Sequence, residues 1–259
     1  MNHIFVVCAY KENPYLEECI KSVVNQTVKS RVLISTATPN AFIQNMAEKY
    51  KLKMVVNTEL KDGIDNFNFG YSKAEADYVT ICHQDDYYDP DFLKNVMLSR
   101  KSAKKPLIFF TDYCEVRDGK IVRSNKLLFV KRIMLFPLRS KFLRRIRWVR
   151  NFILKFGSPI CCPAVTFNKK LIQGPIFDDG CMAISDWKAW VKLAKLDGEF
   201  CYISKKMLYK RIHEGSATSE TIQNNMRSTQ EKEFFMELWP GWAASIISKI
   251  YSKAQKSNE

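Results

Sequence analysis

The sequence predicts an α/β fold built on a mostly parallel sheet flanked by helices, with a basic helical insertion and helices toward its C-terminal end. Three observations lead there. Strand-like and helix-like apolar patterns alternate through the first hundred residues, the pattern of parallel strands joined by helical crossovers. The 259 residues are 46% hydrophobic, which is enough to fill a core on both faces of such a sheet. Near residue 119 the alternation stops and a long segment without acidic residues begins.

"HIFVVCA" (3–9) is a strand-like run that His3 starts. In "NPYLEECIKSVVNQT" Asn13 is placed to cap a helix and Pro14 to take a first helical position. Leu16, Ile20, Val23 and Thr27 then share one face. "RVLIS" (31–35) is a second strand, and Thr38 with Pro39 opens the next helix. "KMVVN" (53–57) repeats the strand, Asp62 begins a helix through about Glu75, and "DYVTIC" (77–82) is a further strand. Asp89-Pro90 starts a helix across "DFLKNVMLS", and Asp118-Gly119 predicts a hairpin turn.

In such sheets ligands bind beyond the carboxyl ends of the strands, and "ICHQDDYYDP" (81–90) falls there. Adjacent carboxylates beside a histidine suit a divalent cation that carries phosphates, while a solvated turn before a helix cap is the plain alternative. There are nine glycines and neither GxGxxG nor GxxxxGK[ST], so any nucleotide is held without a glycine-rich loop.

The formal net charge of +14 is concentrated. Residues 119–177 contain 14 Lys or Arg and no Asp or Glu, so something acidic is expected to face them. In "SKFLRRIRWVRNFILKF", Phe142, Ile146, Val149 and Ile153 recur at helical spacing, with Trp148 and Phe152 beside them and basic residues at 141, 144, 145, 147, 150 and 155. Two readings stand: an interfacial helix on an anionic membrane surface, or a helix packed on its own domain with a solvated basic face. Near the C-terminal end Phe235, Trp239, Trp242, Ile246 and Ile250 lie near one stripe broken at Pro240-Gly241, a second segment of the same kind. Nucleic acid is not the expected partner, because no reading motif is present. No apolar run approaches the ~20 residues of a membrane span and no signal peptide is evident, which places the chain in the cytoplasm, peripheral to the inner face of the membrane. The eight cysteines lack CxxC spacing and fit reduced, buried thiols.

Three motifs line up in order: "HQDDYYDPDF" (83–92), "ISDWKAWVKLA" (184–194) and "YKRIHEGSAT" (209–218). With "VVCAYKENPYLEECIKSVVNQT" near the start they make the chain resemble the family 2 glycosyltransferases of the bacterial surface-polysaccharide type, from about Ile4 to Thr218. The resemblance implies the A-type glycosyltransferase fold, a Rossmann-like sheet that binds a nucleotide-sugar in its first half and an acceptor in its second. It also implies inversion at the anomeric carbon with help from Mg²⁺ or Mn²⁺.

On that resemblance Asp85 matches the metal-binding position and Asp186 the catalytic base, which takes a proton from the acceptor hydroxyl. A helix cap is the plain reading of Ser185 and Asp186. Arg211 and His213 match a segment that closes over diphosphate and metal, Arg211 as a donor contact and His213 as a metal ligand, with "EGSAT" as its glycine hinge. The usual Asp-x-Asp begins here with His83, leaving Asp85 and Asp86 as the carboxylates. His83 is read either as a ligand, which favours Mn²⁺, or as a hydrogen-bonded spacer. Ser35 and Thr36 stand where an acidic contact to the donor base is usual, and Phe67-Asn68 replaces an Arg-Asn pair, with Asn68 kept as a donor contact. Tyr10 and Glu12 are candidates for stacking on and hydrogen bonding to the base. Asp65, Asp112 and Trp187 have plain structural readings beside possible sugar contacts.

The expected organisation is a nucleotide-sugar half (1–118), an acceptor and catalytic half (119–218) with a basic amphipathic segment at 129–156, and a helical tail (219–259). The acceptor is read as a saccharide, lipid-linked and used in cell-surface polysaccharide synthesis. The competing readings are a basic nucleic-acid-binding protein, and a metal-dependent phosphoryl hydrolase using His83, Asp85, Asp86 and His213.

Overall fold

A computed structural model describes residues 2–59, 63–178, 182–213 and 226–256. β1 (His3–Ala9), α1 (Leu16–Val24), β2 (Arg31–Thr36), α2 (Ala41–Lys49), β3 (Lys53–Val56), α3 (Gly63–Lys73) and β4 (Tyr78–His83) alternate as the apolar pattern predicts. β1 runs parallel to β2 and β4, and β2 parallel to β3. All seven residues of β1 are buried, with Phe5, Val7 and Ala9 in one core and Ile4, Val6 and Cys8 in the other. Helices cover both faces, so the strand is a continuous apolar run after His3, whose buried ring is hydrogen-bonded to the Ser30 and Thr80 hydroxyls at 2.8 and 2.9 Å.

The rest of the chain is β5 (Tyr87–Tyr88), α4 (Phe92–Lys101), β6 (Pro106–Arg117), β7 (Lys120–Val122), α5 (Lys126–Leu135), α6 (Arg147–Leu154), β8 (Val165–Asn168), α7 (Ser185–Ala194), β9 (Glu199–Ile212), α8 (Met226–Leu238) and α9 (Gly241–Lys256). The strand order is β3-β2-β1-β4-β8-β6-β9-β5, with β7 on β6. β8 is antiparallel to both β4 and β6, whereas β9 returns parallel to β6. The α/β class is as expected, on a mixed sheet whose first half is parallel. Asp118 and Gly119, at φ 49° and 73°, form the left-handed pair that a two-residue hairpin turn requires.

Several local expectations shift. Asn40, not Thr38, caps α2, its side chain accepting from the Ile43 N–H at 2.9 Å. Thr38 instead accepts from the Lys11 N–H. Thr27 lies beyond α1 and is exposed. Asp62 lies outside the described residues. The seven cysteines among the described residues are free and buried; Cys181 is not among them.

Residues 129–156 are not one amphipathic helix. α5 stops at Leu135, 3₁₀ turns occupy Phe136–Arg139 and Leu143–Arg145, and α6 is only eight residues long. Pro137 contributes no backbone N–H to continue α5. Two of the six basic residues face inward. Arg150 is 1% exposed and donates to the carbonyls of Leu196 and Ala194 at 2.8 and 3.2 Å, while Arg144 pairs with Glu199 at 2.7 Å. The expected apolar stripe splits as well, with Ile153 buried and Phe142 70% exposed. The C-terminal stripe breaks at Pro240: Phe235 is buried under Trp187, whereas Trp242 is exposed. Among the described residues no helix is long and apolar enough to cross a membrane.

Candidate active site

The site forms where β4 ends. After His83 the chain turns, with the Asp86 N–H donating to the His83 carbonyl at 3.3 Å, and enters β5. β5 pairs antiparallel with β9 through Tyr87–Tyr209 and Tyr88–Leu208, which carries residues 211–213 over the turn. Asp86 is 2% exposed; its Oδ1 accepts from the Arg211 N–H at 2.8 Å. The Asp85 Oδ2 and the His213 Nε2 are 3.0 Å apart. The His83 ring lies flat on Phe67, with centroids 4.9 Å apart and planes 5° from parallel.

Two atoms in this turn are buried without a hydrogen-bond partner: His83 Nε2 and Asp86 Oδ2. One ligand atom each from His83, Asp85 and Asp86 lies within 4.8 Å of the others. Burial lowers the His83 pKa to about 4 against the pull of Asp85, so the ring is neutral near pH 7 and keeps a lone pair to offer. Burial, with Asp85 beside it, raises the Asp86 carboxyl well above the usual range. A buried ring nitrogen and a buried carboxyl oxygen that both lack a partner are costly unless a ligand engages them, so the donor set fits a divalent cation. His213 is not one of the three; it reaches the cluster through Asp85.

Asp186 is the second residue of α7, and its Oδ1 accepts from the Trp187 N–H at 2.6 Å. Neither Ser185 nor Asp186 makes a side-chain cap bond of the usual kind. Burial raises the Asp186 carboxyl, and Arg227, Lys210 and Lys131 act against that rise. These three cations were not singled out by sequence, although Lys210 lies inside the "YKRIH" motif. Burial drives Lys131 down to about 8, with Lys210 pushing the same way, and its ammonium donates to the Tyr113 hydroxyl at 3.1 Å. Lys210 and Cys161 each lie within electrostatic reach of both Asp86 and Asp186. Lys210 and Cys161 thus link the turn after β4 and the start of α7 electrostatically.

The other predicted residues divide. Tyr10 is exposed beyond β1, its backbone bracketed by the Gln84 side-chain amide at 2.8 and 3.0 Å, and Glu12 is exposed two residues on. Arg211 donates to the Glu18 carboxylate and to the Asp85 carbonyl, and its guanidinium lies 3.9 Å above the Tyr15 ring. Its charge is thus already balanced within the fold. Asn68 commits its amide to the backbone of Ile176 and Phe177 at 2.8 to 3.1 Å. Ser35 and Thr36 are fully buried, and the Ser35 hydroxyl donates to Asn66. Asp112 pairs with Arg132 at 2.8 Å, and Trp187 is a core residue whose ring N–H donates to the Leu154 carbonyl. The "EGSAT" stretch lies outside the described residues.

The fold recurs among solved structures. TarS 1-349 from S. aureus in complex with UDP-GlcNAc superposes with a TM-score of 0.64 at 16% identity, covering 99% of this chain and 73% of that one. A mannosyltransferase, PcManGT, from Pyrobaculum calidifontis in complex with GDP-Man and Mn²⁺ gives 0.63 at 13% identity over 95% of this chain and 69% of that one. Glucosyl-3-phosphoglycerate synthase from Mycobacterium tuberculosis, in complex with Mn²⁺, UDP and phosphoglyceric acid, gives 0.51 at 11% identity over 88% and 78%. The match spans 65% of the TarS 1-349 fragment in another structure, and 39% of the longer TarS. No curated protein matches the chain significantly. Residues 4–163 match the family described as Glycosyl transferase family 2. That match takes in more than half of the sequence, including the β4 turn with His83, Asp85 and Asp86, and the chain belongs to glycosyl transferase family 2.

Proposed function

We propose that the chain is an inverting, cation-dependent glycosyltransferase that moves a sugar from a nucleotide-sugar to a saccharide acceptor, lipid-linked and used in cell-surface polysaccharide synthesis. The strongest support is the turn after β4, where His83, Asp85 and Asp86 offer ligand atoms within 4.8 Å of one another, with Lys210 in electrostatic reach of both Asp86 and the buried Asp186. The UDP-GlcNAc and GDP-Man bound by the two related structures support a nucleotide-sugar as the donor class.

His83, Asp85 and Asp86 hold a divalent cation, Mn²⁺ or Mg²⁺, with His213 bracing Asp85. The cation supplies positive charge that stabilises the departing diphosphate. Tyr10 and Glu12, beyond β1, contact the base, and Arg211, clamped by Glu18 and Tyr15, holds the turn in place over the donor phosphates. Asp186 accepts the proton of the acceptor hydroxyl at its carboxylate oxygen while that hydroxyl oxygen attacks the anomeric carbon. A single displacement inverts the centre. Residues 1–118 carry the donor, residues 119–218 the acceptor and the base, and residues 219–259 a helical tail.

The test is a panel of nucleotide-sugars with Mn²⁺ or Mg²⁺, comparing wild type with Asp186→Asn. Transfer or donor hydrolysis is expected with one donor, falling by roughly 10²- to 10⁴-fold in the variant while nucleotide binding persists. An unchanged rate removes Asp186 from its role. Phosphate release without sugar transfer would instead support the hydrolase reading.

A further inference from the structure

We infer that an acid-free ridge of exposed aromatic and aliphatic side chains, running from α5 across α6 to α9, docks the protein on an anionic lipid bilayer. The middle of the ridge is a continuous chain of rings. On α6 Trp148 stacks on Phe152 at 5.2 Å; Phe152 meets Phe156 at 5.1 Å, and Phe156 meets Trp239, between α8 and α9, at 5.2 Å. Trp242, Ile246 and Ile250 follow at four-residue spacing and are all exposed, Trp242 by 74%. α9 in turn packs on α5, where Phe129 and Ile133 are exposed one turn apart. A soluble surface rarely leaves so many large apolar side chains uncovered and contiguous.

Charge identifies the occupant. The stretches that build the ridge, residues 119–177 and 238–256, contain no Asp or Glu. Lys141 and Arg147 are exposed beside Phe142 and Trp148. The Lys155 ammonium lies 5.3 Å above the Trp239 ring and Arg139 lies 5.5 Å from the Phe136 centroid, so long basic side chains edge the aromatic surface. Two copies meeting face to face across this ridge would set these cations against one another. An anionic bilayer satisfies both components, since its headgroups balance the cations and its acyl boundary takes the rings.

The docking also orients the cleft, and only this part rests on the functional reading above. α5 presents Phe129 and Ile133 outward, while Lys131, between them, lies within electrostatic reach of Asp186. Lys131 thus connects Asp186 to the α5 end of the ridge, the side on which the head of a lipid-linked saccharide would stand.

The experiment is co-sedimentation of the full chain with vesicles of phosphatidylcholine alone, or mixed with about one-third phosphatidylglycerol, at low and high salt. Binding is expected to the anionic vesicles and to weaken with salt. Trp148→Ser with Phe152→Ser, and separately Trp242→Ser with Ile246→Ser, should each weaken it about tenfold or more. The exposed charge reversals Lys141→Glu with Arg147→Glu should do the same without touching an apolar contact. Retained melting behaviour identifies the variants that are folded, and Asp186→Asn should bind vesicles as wild type does whether or not it transfers sugar. Three results would overturn the inference: no binding to either vesicle, binding that all three double variants leave unchanged, or a dimer in analytical ultracentrifugation that the same substitutions dissolve.

Discussion

Asp186 is held in a contest between burial, which favours its protonated form, and the cations of Arg227, Lys210 and Lys131, which favour the carboxylate. A base must be ionised to accept a proton. Because the net shift is upward, the ionised fraction declines earlier as pH falls, and the acid limb of the transfer rate is expected above the ordinary carboxylate range. Lys210→Met removes one cation that opposes the rise, so in that variant the limb should move to still higher pH; a pH–rate profile reads both. At this scale much was legible in the sequence. His83, Asp85, Asp86, Asp186, Arg211 and His213 could be singled out because they sit in short motifs at the ends of recognisable elements. Lys131 and Arg227 could not, since each is one basic residue among many, and only the packing of α5 and α8 brings their charge within reach of Asp186. Asn68 had the right type and position, but its amide was already needed by the backbone of Ile176 and Phe177.

The basic segment shows how an element can mislead by its pattern. Helical spacing of apolar residues over 142–153 is real, yet the chain there is held by Glu199 at the start of β9. Its Oε1 accepts from the N–H groups of Lys104 and Lys105 at 2.7 and 3.1 Å, its Oε2 pairs with Arg144 at 2.7 Å, and Arg145 approaches at 3.3 Å. Burial opposes the Glu199 charge, but these donors outweigh it and hold the carboxyl below its usual range. Its contribution is therefore present above the unfolded pKa and is lost as pH falls through the lower, folded one. Glu199→Ala should cost about 3 to 5 kcal/mol, because it leaves Arg144 buried and unpaired, and should abolish that acid-side loss; urea melts at neutral and acid pH measure both.

For the whole molecule, the β4 turn makes a prediction about linkage. A ligand that binds only the folded state raises its stability, by about 2.7 kcal/mol at a hundredfold excess over Kd. A nucleoside diphosphate with Mn²⁺ is expected to raise the melting temperature more than either alone. In His83→Gln the advantage of Mn²⁺ over Mg²⁺ should shrink, since replacing imidazole nitrogen with an amide removes the donor that prefers the softer ion. An equal shift with both metals in wild type would count against His83 as a ligand.

The sequence by itself determined the α/β class, the alternation of strands and helices through the first half, the hairpin at Asp118-Gly119 and the turn that carries the carboxylates. Each of these is encoded locally, by apolar period, by turn residues or by adjacent charge. Tertiary structure decided the rest: the antiparallel insertion of β8, the breakup of residues 129–156, the inward turn of Arg144 and Arg150, and the placing of Lys210 within electrostatic reach of both Asp86 and Asp186. Those outcomes depend on which distant groups remain to satisfy a buried charge or cover an apolar face, and no local window of the chain contains both partners.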